Sequence, residues 1–341
     1  MIRSLTFVSA MVIAGAVSAQ PPGITREMIG RQLPLEGAPL AVAGKYEAVM
    51  EPVAGQPRLA VFHPANLDAL KKEKLPVLVW GNGGCALNSG QFGGYLKTIA
   101  SHGYVVVTTA QPENANPPQA TVDDLKAALD WSQAEAARSG SALGAKIDKD
   151  KVAVMGVSCG GFLTVGLSSD PRVDTIGVFN SGVSPPAPAG AAGAPGGGGG
   201  GPGAGGRGGP GGGGGPGAGG RGGPGGGGGP PRAPFPTTDA LPKIHTPTLY
   251  LNGGEPDFMM ATSKANFDAI NQVPIFYGAR DNAGHSATYF HPGGGEFANV
   301  TVAWLDWQLK GDKKAANMFV GDKCGLCTNP KWETHSKNLK K

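Results

Sequence analysis

Lys151-Val152-Ala153-Val154-Met155-Gly156-Val157-Ser158-Cys159-Gly160-Gly161-Phe162 is the stretch on which the reading of this chain turns. An apolar, β-branched run ends in Gly-x-Ser-x-Gly and passes directly into a segment compatible with a helix. That is the pattern of a nucleophile elbow, a sharp strand-to-helix turn that lifts one serine above a sheet edge. The turn is tight enough that side chains at Gly156 and Gly160 would collide with neighbouring backbone. In a chain with 59 glycines the pentapeptide alone is weak. The strand before it and the helix after it give it weight.

Working outward, the flanks alternate between the two periodicities. Residues 46–50 and 58–63 read as the first strands, with Pro and Gly between them marking a turn. Residues 75–80 and 104–109 are continuous apolar runs, as buried parallel strands require. Residues 92–101 have helical spacing, and 121–138 form an amphipathic helix with Thr121 as N-cap. Beyond the elbow, strands are predicted at 152–157, 175–180, 247–251 and 273–277, and helices at 160–168, 262–270 and 297–309. Strands alternating with helices predict an α/β fold, a mostly parallel central sheet covered on both faces.

Residues 1–19 read as a secretory signal peptide, with Arg3, an apolar core over 5–17, and Val17-Ser18-Ala19 before Gln20. The alternative, a retained anchor, is disfavoured because the run is short for a membrane span. The expected product is exported, periplasmic or extracellular, with no stable membrane insertion. Residues 20–44 form an N-terminal extension and 45–341 one domain, interrupted at 185–234 by a segment that is almost wholly Gly, Pro and Ala. Gly-Pro-Gly-Ala-Gly-Gly-Arg-Gly-Gly-Pro occurs at 201–210 and again at 215–224, without the strict triplet of collagen. Such a tract has nothing to bury against its ordering entropy, so a disordered loop is expected. Its Arg-Gly-Gly sequences raise the possibility of RNA binding, which export argues against. Setting aside Arg3, Arg207, Arg221 and Arg232 removes the whole formal charge of +4, so a nucleic-acid partner is not expected. About 270 residues then remain, enough for one large α/β domain.

A serine on an elbow needs a base and an acid to orient it, which follow in the order acid, then histidine. Of the six histidines, His285 in Asn282-Ala-Gly-His285-Ser-Ala sits just past a strand, in small-residue loop chemistry. His291 is the runner-up, His335 lies in a tail, and His102 reads as a structural residue at a helix end. The acid comes from Asn252-Gly-Gly-Glu-Pro-Asp257. Asp257 is preferred because the tight turn carries it further over the sheet edge, and Glu255 is read as a supporting group held extended by Pro256. The oxyanion hole is assigned to the N–H of Cys159, after the nucleophile, and to Gly83, with Gly84 close behind, in Gly81-Asn-Gly-Gly-Cys85. No cofactor or metal ligand set is expected. Cys324-Gly-Leu-Cys327 lacks a second ligand pair for zinc and a βαβ context for redox work, so it reads as a local disulfide. For Cys85 and Cys159 two states are open: a disulfide clamping both oxyanion donors together, or two buried free thiols.

With these pieces in place, the chain resembles an α/β-hydrolase and, within that superfamily, the dienelactone hydrolase and polyesterase–lipase–cutinase group. The similarity is carried by Trp80-Gly-Asn-Gly-Gly-Cys85, Ala100-Ser-His-Gly-Tyr-Val-Val106, Gly156-Val-Ser-Cys-Gly160, Gly254-Glu-Pro-Asp257 and Gly284-His-Ser286. It implies a serine esterase or lipase-type hydrolase of carboxylic esters, with Ser158, Asp257 and His285 at the triad positions. Two departures from polyester-degrading members stand out. The segment after 175–180, where those enzymes often carry a substrate-clamping tryptophan, runs into Ser184-Pro-Pro and the insert, and Cys159 replaces the usual residue beside the nucleophile. The insert cannot pack as a lid, so an open site accepting a small or polymeric ester is expected. Two other readings compete: a peptidase or amidase on the same fold, and a catalytically inactive binding protein with a flexible spacer. The ordered Ser, Asp and His argue against the last.

Overall fold

A computed structural model describes residues 35, 37–116, 118–186 and 235–340. The signal peptide, most of the N-terminal extension, and the Gly/Pro insert apart from residues 185 and 186 lie outside the described residues.

The apolar runs become strands β1 (Ala48–Pro52), β2 (Leu59–Pro64), β3 (Leu75–Gly81), β4 (Val105–Thr109), β5 (Ile147–Val157), β6 (Thr175–Phe179), β7 (Thr248–Asn252) and β8 (Ile275–Arg280). With β9 (Trp332–Lys337) they form one sheet in the order β1-β2-β4-β3-β5-β6-β7-β8-β9. From β4 through β8 every neighbouring pair is parallel, while β1, β2 and β9 run antiparallel to their neighbours. All residues of β3, β4, β6, β7 and β8 are buried, which is why these strands read as unbroken apolar runs.

Helices cover both faces. On one, α1 (Gly93–Ser101) and α5 (Gly295–Lys310) pack Tyr95, Phe297 and Trp304 against Leu78 and Trp80. On the other, α2 (Val122–Ala137), α3 (Cys159–Leu167) and α4 (Met260–Ala269) pack Leu129, Leu163 and Phe267 against Val77 and Val79. Successive residues of β3 thus feed opposite cores, the period of two expected of a strand. Thr121 caps α2: its Oγ1 accepts the Asp124 N–H (3.3 Å), and Asp124 Oδ2 accepts the Thr121 N–H (2.8 Å).

One correction concerns the C-terminal end. The stretch read as a tail is β9, paired antiparallel with β8, and His335 lies on it opposite Tyr277. Its sequence, Trp-Glu-Thr-His-Ser-Lys, is too polar to announce a strand; an edge strand with one exposed face needs only the inward Trp332. Trp332 Nε1–H donates to Glu296 Oε1 (2.7 Å), and Glu296 Oε2 accepts from Arg280 Nε (2.7 Å). This buried pair therefore fastens β8, α5 and β9 to each other. Both cysteine pairs are disulfides, Cys85–Cys159 and Cys324–Cys327, which closes the alternative of free thiols.

Candidate active site

The site forms at the carboxyl ends of β3, β5, β6, β7 and β8. Ser158 follows β5 at φ 53° and ψ −119°, a conformation costly for any residue with a Cβ. The surroundings hold it there. Its N–H donates to Phe179 O (2.8 Å), and its carbonyl accepts from Gly161 N–H (2.9 Å) and Ser181 Oγ (2.7 Å). The glycines of the elbow are required by contact. A Cβ at Gly160 would stand 2.0 Å from Gly81 O, and one at Gly156 2.4 Å from Gly160 O. The end of β3 and the start of α3 therefore touch backbone to backbone.

The acid loop follows β7. Its turn closes through Asp257 N–H to Gly254 O (2.9 Å), and Asp257 is 2% exposed. Asp257 Oδ1 accepts from Met259 N–H (3.1 Å) and faces His285 Nδ1 at 2.8 Å; Oδ2 accepts from Asn180 Nδ2 (2.7 Å) and Gly253 N–H (3.2 Å). The acid and base loops are clasped by Gly284 N–H to Gly253 O (2.7 Å), and a Cβ at Gly253 would lie 1.7 Å from Gly284 O. His285 Nε2 in turn stands 2.9 Å from Ser158 Oγ, and the Phe258 ring lies over the imidazole with centroids 4.0 Å apart. Three side chains separated by up to 127 residues thus share one line of hydrogen bonds. With Asp257 accepting at Nδ1–H, Nε2 of the neutral imidazole is free to accept from the serine hydroxyl.

Other candidates sit elsewhere. Glu255 is exposed on its turn, because the turn that buries Asp257 points its neighbour two residues earlier outward. His291 Nε2 accepts from Leu35 N–H (3.3 Å), His335 bonds Glu333 (2.8 Å), and His102, the C-cap of α1, bonds Val42 O (2.9 Å).

Cys159 opens α3, where the first N–H groups have no partner within the helix. The segment Gly83–Cys85 is a short 3-10 turn after β3. Among the described residues, neither the Gly83 nor the Cys159 N–H donates to another backbone group. Two features position the turn. The disulfide ties Cys85, at φ 49°, to Cys159, and the fully buried Asn82 spans the loop. Asn82 Oδ1 accepts from Trp80 Nε1–H (3.0 Å), and its Nδ2 donates to Ala86 O (3.0 Å) and Thr109 Oγ1 (3.1 Å). A pocket of about 180 Å³ opens here, lined by Gly83, Gly84, Gln91, Phe92, Val157, Ser158, His285, Ser286, Tyr289 and Phe290. Asn82, Asn180, Gly253 and Tyr289 escaped the reading of the sequence. The available signal was a polar residue immediately after a buried apolar strand, which Asn82 and Asn180 share.

No curated protein matches the chain. Residues 66–176 match a family model, PETase, described as PET hydrolase-like. That stretch runs from just after β2 to the start of β6 and contains the Gly83 loop and the elbow, but not Asp257 or His285. Taken with the mostly parallel sheet and the helices on both of its faces, the match identifies an α/β-hydrolase fold and, over residues 66–176, similarity to the polyesterase and cutinase-like group.

Proposed function

We propose that this chain is a serine hydrolase that cleaves carboxylic esters through an acyl-enzyme. The observation that carries the proposal is the line Ser158 Oγ, His285 Nε2, His285 Nδ1, Asp257 Oδ1, at 2.9 and 2.8 Å, with the serine at the floor of a pocket. In this reading Ser158 Oγ attacks the ester carbonyl carbon while His285 Nε2 takes its proton. The tetrahedral oxyanion is held by the N–H groups of Cys159 and Gly83. As it collapses, His285 returns the proton to the departing alcohol, leaving Ser158 acylated. Water, deprotonated by His285, then attacks the acyl carbon and frees the acid. Asp257, facing Nδ1 at 2.8 Å, holds the ring in place and balances the imidazolium.

The domain reading goes with it: a signal peptide at 1–19, an extension at 20–44, and one catalytic domain over 45–341 interrupted at 185–234. Export is supported by two disulfides, which persist in oxidising compartments. Among the described residues no helix is long and apolar enough to cross a membrane. The test is turnover of p-nitrophenyl acetate by purified protein, with a fluorophosphonate label to locate the nucleophile. Ser158→Ala should lose at least about 10³-fold in rate and all labelling. Full activity in that variant, or label on another residue, refutes the reading.

A further inference from the structure

Asn180 is the residue immediately after β6, fully buried, at φ 45°. Left-handed backbone is tolerated by Asn, Asp and Gly far better than by other residues, so a conformation this confined restricts what can stand there. Its neighbours hold the elbow: Phe179 O accepts the Ser158 N–H, and Ser181 Oγ donates to Ser158 O. The side chain turns the other way, toward the acid and the base.

The orientation of the amide is fixed by its partners. Nδ2 faces two groups that can only accept, Asp257 Oδ2 (2.7 Å) and Gly284 O (3.2 Å), the carbonyl just before His285. Oδ1 therefore faces Tyr289 Oη at 3.0 Å, and the phenol must be the donor. Burial, with Tyr95 and Asp257 nearby, pushes the Tyr289 hydroxyl well above its ordinary value, so it keeps that proton. Tyr289 is also a wall of the pocket, its ring set edge-on against Phe92 (6.0 Å), Tyr95 (5.3 Å) and Phe297 (5.4 Å). The hydrogen bonds thus run one way, from the pocket wall through Asn180 to the carboxylate oxygen that does not meet His285.

We propose that Asn180 is a positioning residue that orients Asp257 and the His285 loop with one amide, and that Tyr289 fixes the amide from the pocket side. This inference rests on the serine-hydrolase reading above. Asn180 supplies one of the two hydrogen bonds at Asp257 Oδ2; the other, from Gly253 N–H, is longer at 3.2 Å. Removing it leaves the carboxylate charge less neutralised, hence more stabilising to the His285 imidazolium. The other ionisable groups about this acid are Tyr289 and Tyr277, the latter on β8, while Glu255 and Asp281 are exposed on the two flanking loops.

The test uses Asn180→Gly, which keeps the left-handed backbone and deletes the amide, and Tyr289→Phe, which deletes one hydroxyl. Both are assayed against pH with p-nitrophenyl acetate, and their folding is checked by thermal melts. Asn180→Gly should lower kcat by about 10- to 100-fold with KM within about threefold. The acid limb of its kcat/KM profile should move to higher pH, because the imidazolium persists longer. Tyr289→Phe should shift the limb in the same direction by less, and it carries the test if Asn180→Gly does not fold. An unshifted limb in the folded variants, with wild type labelled at Ser158, overturns the role of Asn180 alone. A wild type that neither turns over nor labels overturns the serine-hydrolase reading and this inference with it.

Discussion

The two disulfides close loops of very different size, and their contributions to stability should differ accordingly. Cys85 and Cys159 are 74 residues apart, whereas Cys324 and Cys327 are 3 apart. In the chain-entropy description a cross-link restricts the unfolded ensemble by an amount that grows with the logarithm of loop length. For the longer loop this gives about 4.4 kcal/mol at 25 °C, and for the shorter about 1.6 kcal/mol, a difference of about 3 kcal/mol. The perturbation is Cys85→Ala with Cys159→Ala, compared with Cys324→Ala with Cys327→Ala. Alanine keeps the Cβ at φ 49° of residue 85, so backbone strain is unchanged in the folded state. The assay is guanidinium unfolding, with a higher m-value expected for the first variant because its unfolded chain expands further. The first variant should also lose kcat, since Cys85 and Cys159 sit on the loop and the helix that carry the proposed oxyanion donors. The second should keep its kcat. Equal stability losses in the two variants, or the larger loss in the second, would refute the loop-length argument. Unchanged kcat in the first would separate the disulfide from the oxyanion geometry.

Two further outcomes follow from buried charge. Glu296→Ala should cost about 3–5 kcal/mol in denaturant unfolding, since it strands Arg280 without its 2.7 Å partner and frees the Trp332 indole. Glu135 is one source of pH dependence: its hydrogen bonds to Arg138, helped by Ser141 and outweighing burial, hold its carboxyl below the usual value. A depressed folded value means stabilisation that is present above the unfolded pKa of about 4.3 and lost as pH falls through the folded one. Glu135→Gln should therefore be less stable than wild type at pH 7, with the gap in midpoint closing below about pH 4.

Much of the architecture is readable from local pattern. The parallel strands are buried on both faces, so their apolar runs are unbroken, and their order in the chain alternates with amphipathic helices such as 122–137. Thr121 and Asp124 announce a helix start because a capping box is a contact between residues three apart. The elbow is legible for the same reason: a strand, a Gly-x-Ser-x-Gly turn and a helix are all local. β9 was not, because an edge strand exposes one face and pairs with a neighbour more than fifty residues away along the chain.

The candidate site divides along the same line. Residue types and their order in the chain determined that a serine after β5 could be followed by an acid after β7 and a histidine after β8. Only the tertiary structure decided that His285, not His291, faces Ser158, that Asp257, not Glu255, turns inward, and that Cys85 meets Cys159. It alone brought Asn180, Asn82 and Tyr289 to the site. These choices depend on which way a loop turns over the sheet edge, and that is set by contacts such as Gly253 against Gly284 and Gly81 against Gly160. Each joins residues tens of positions apart, so no window of sequence contains both halves of the contact.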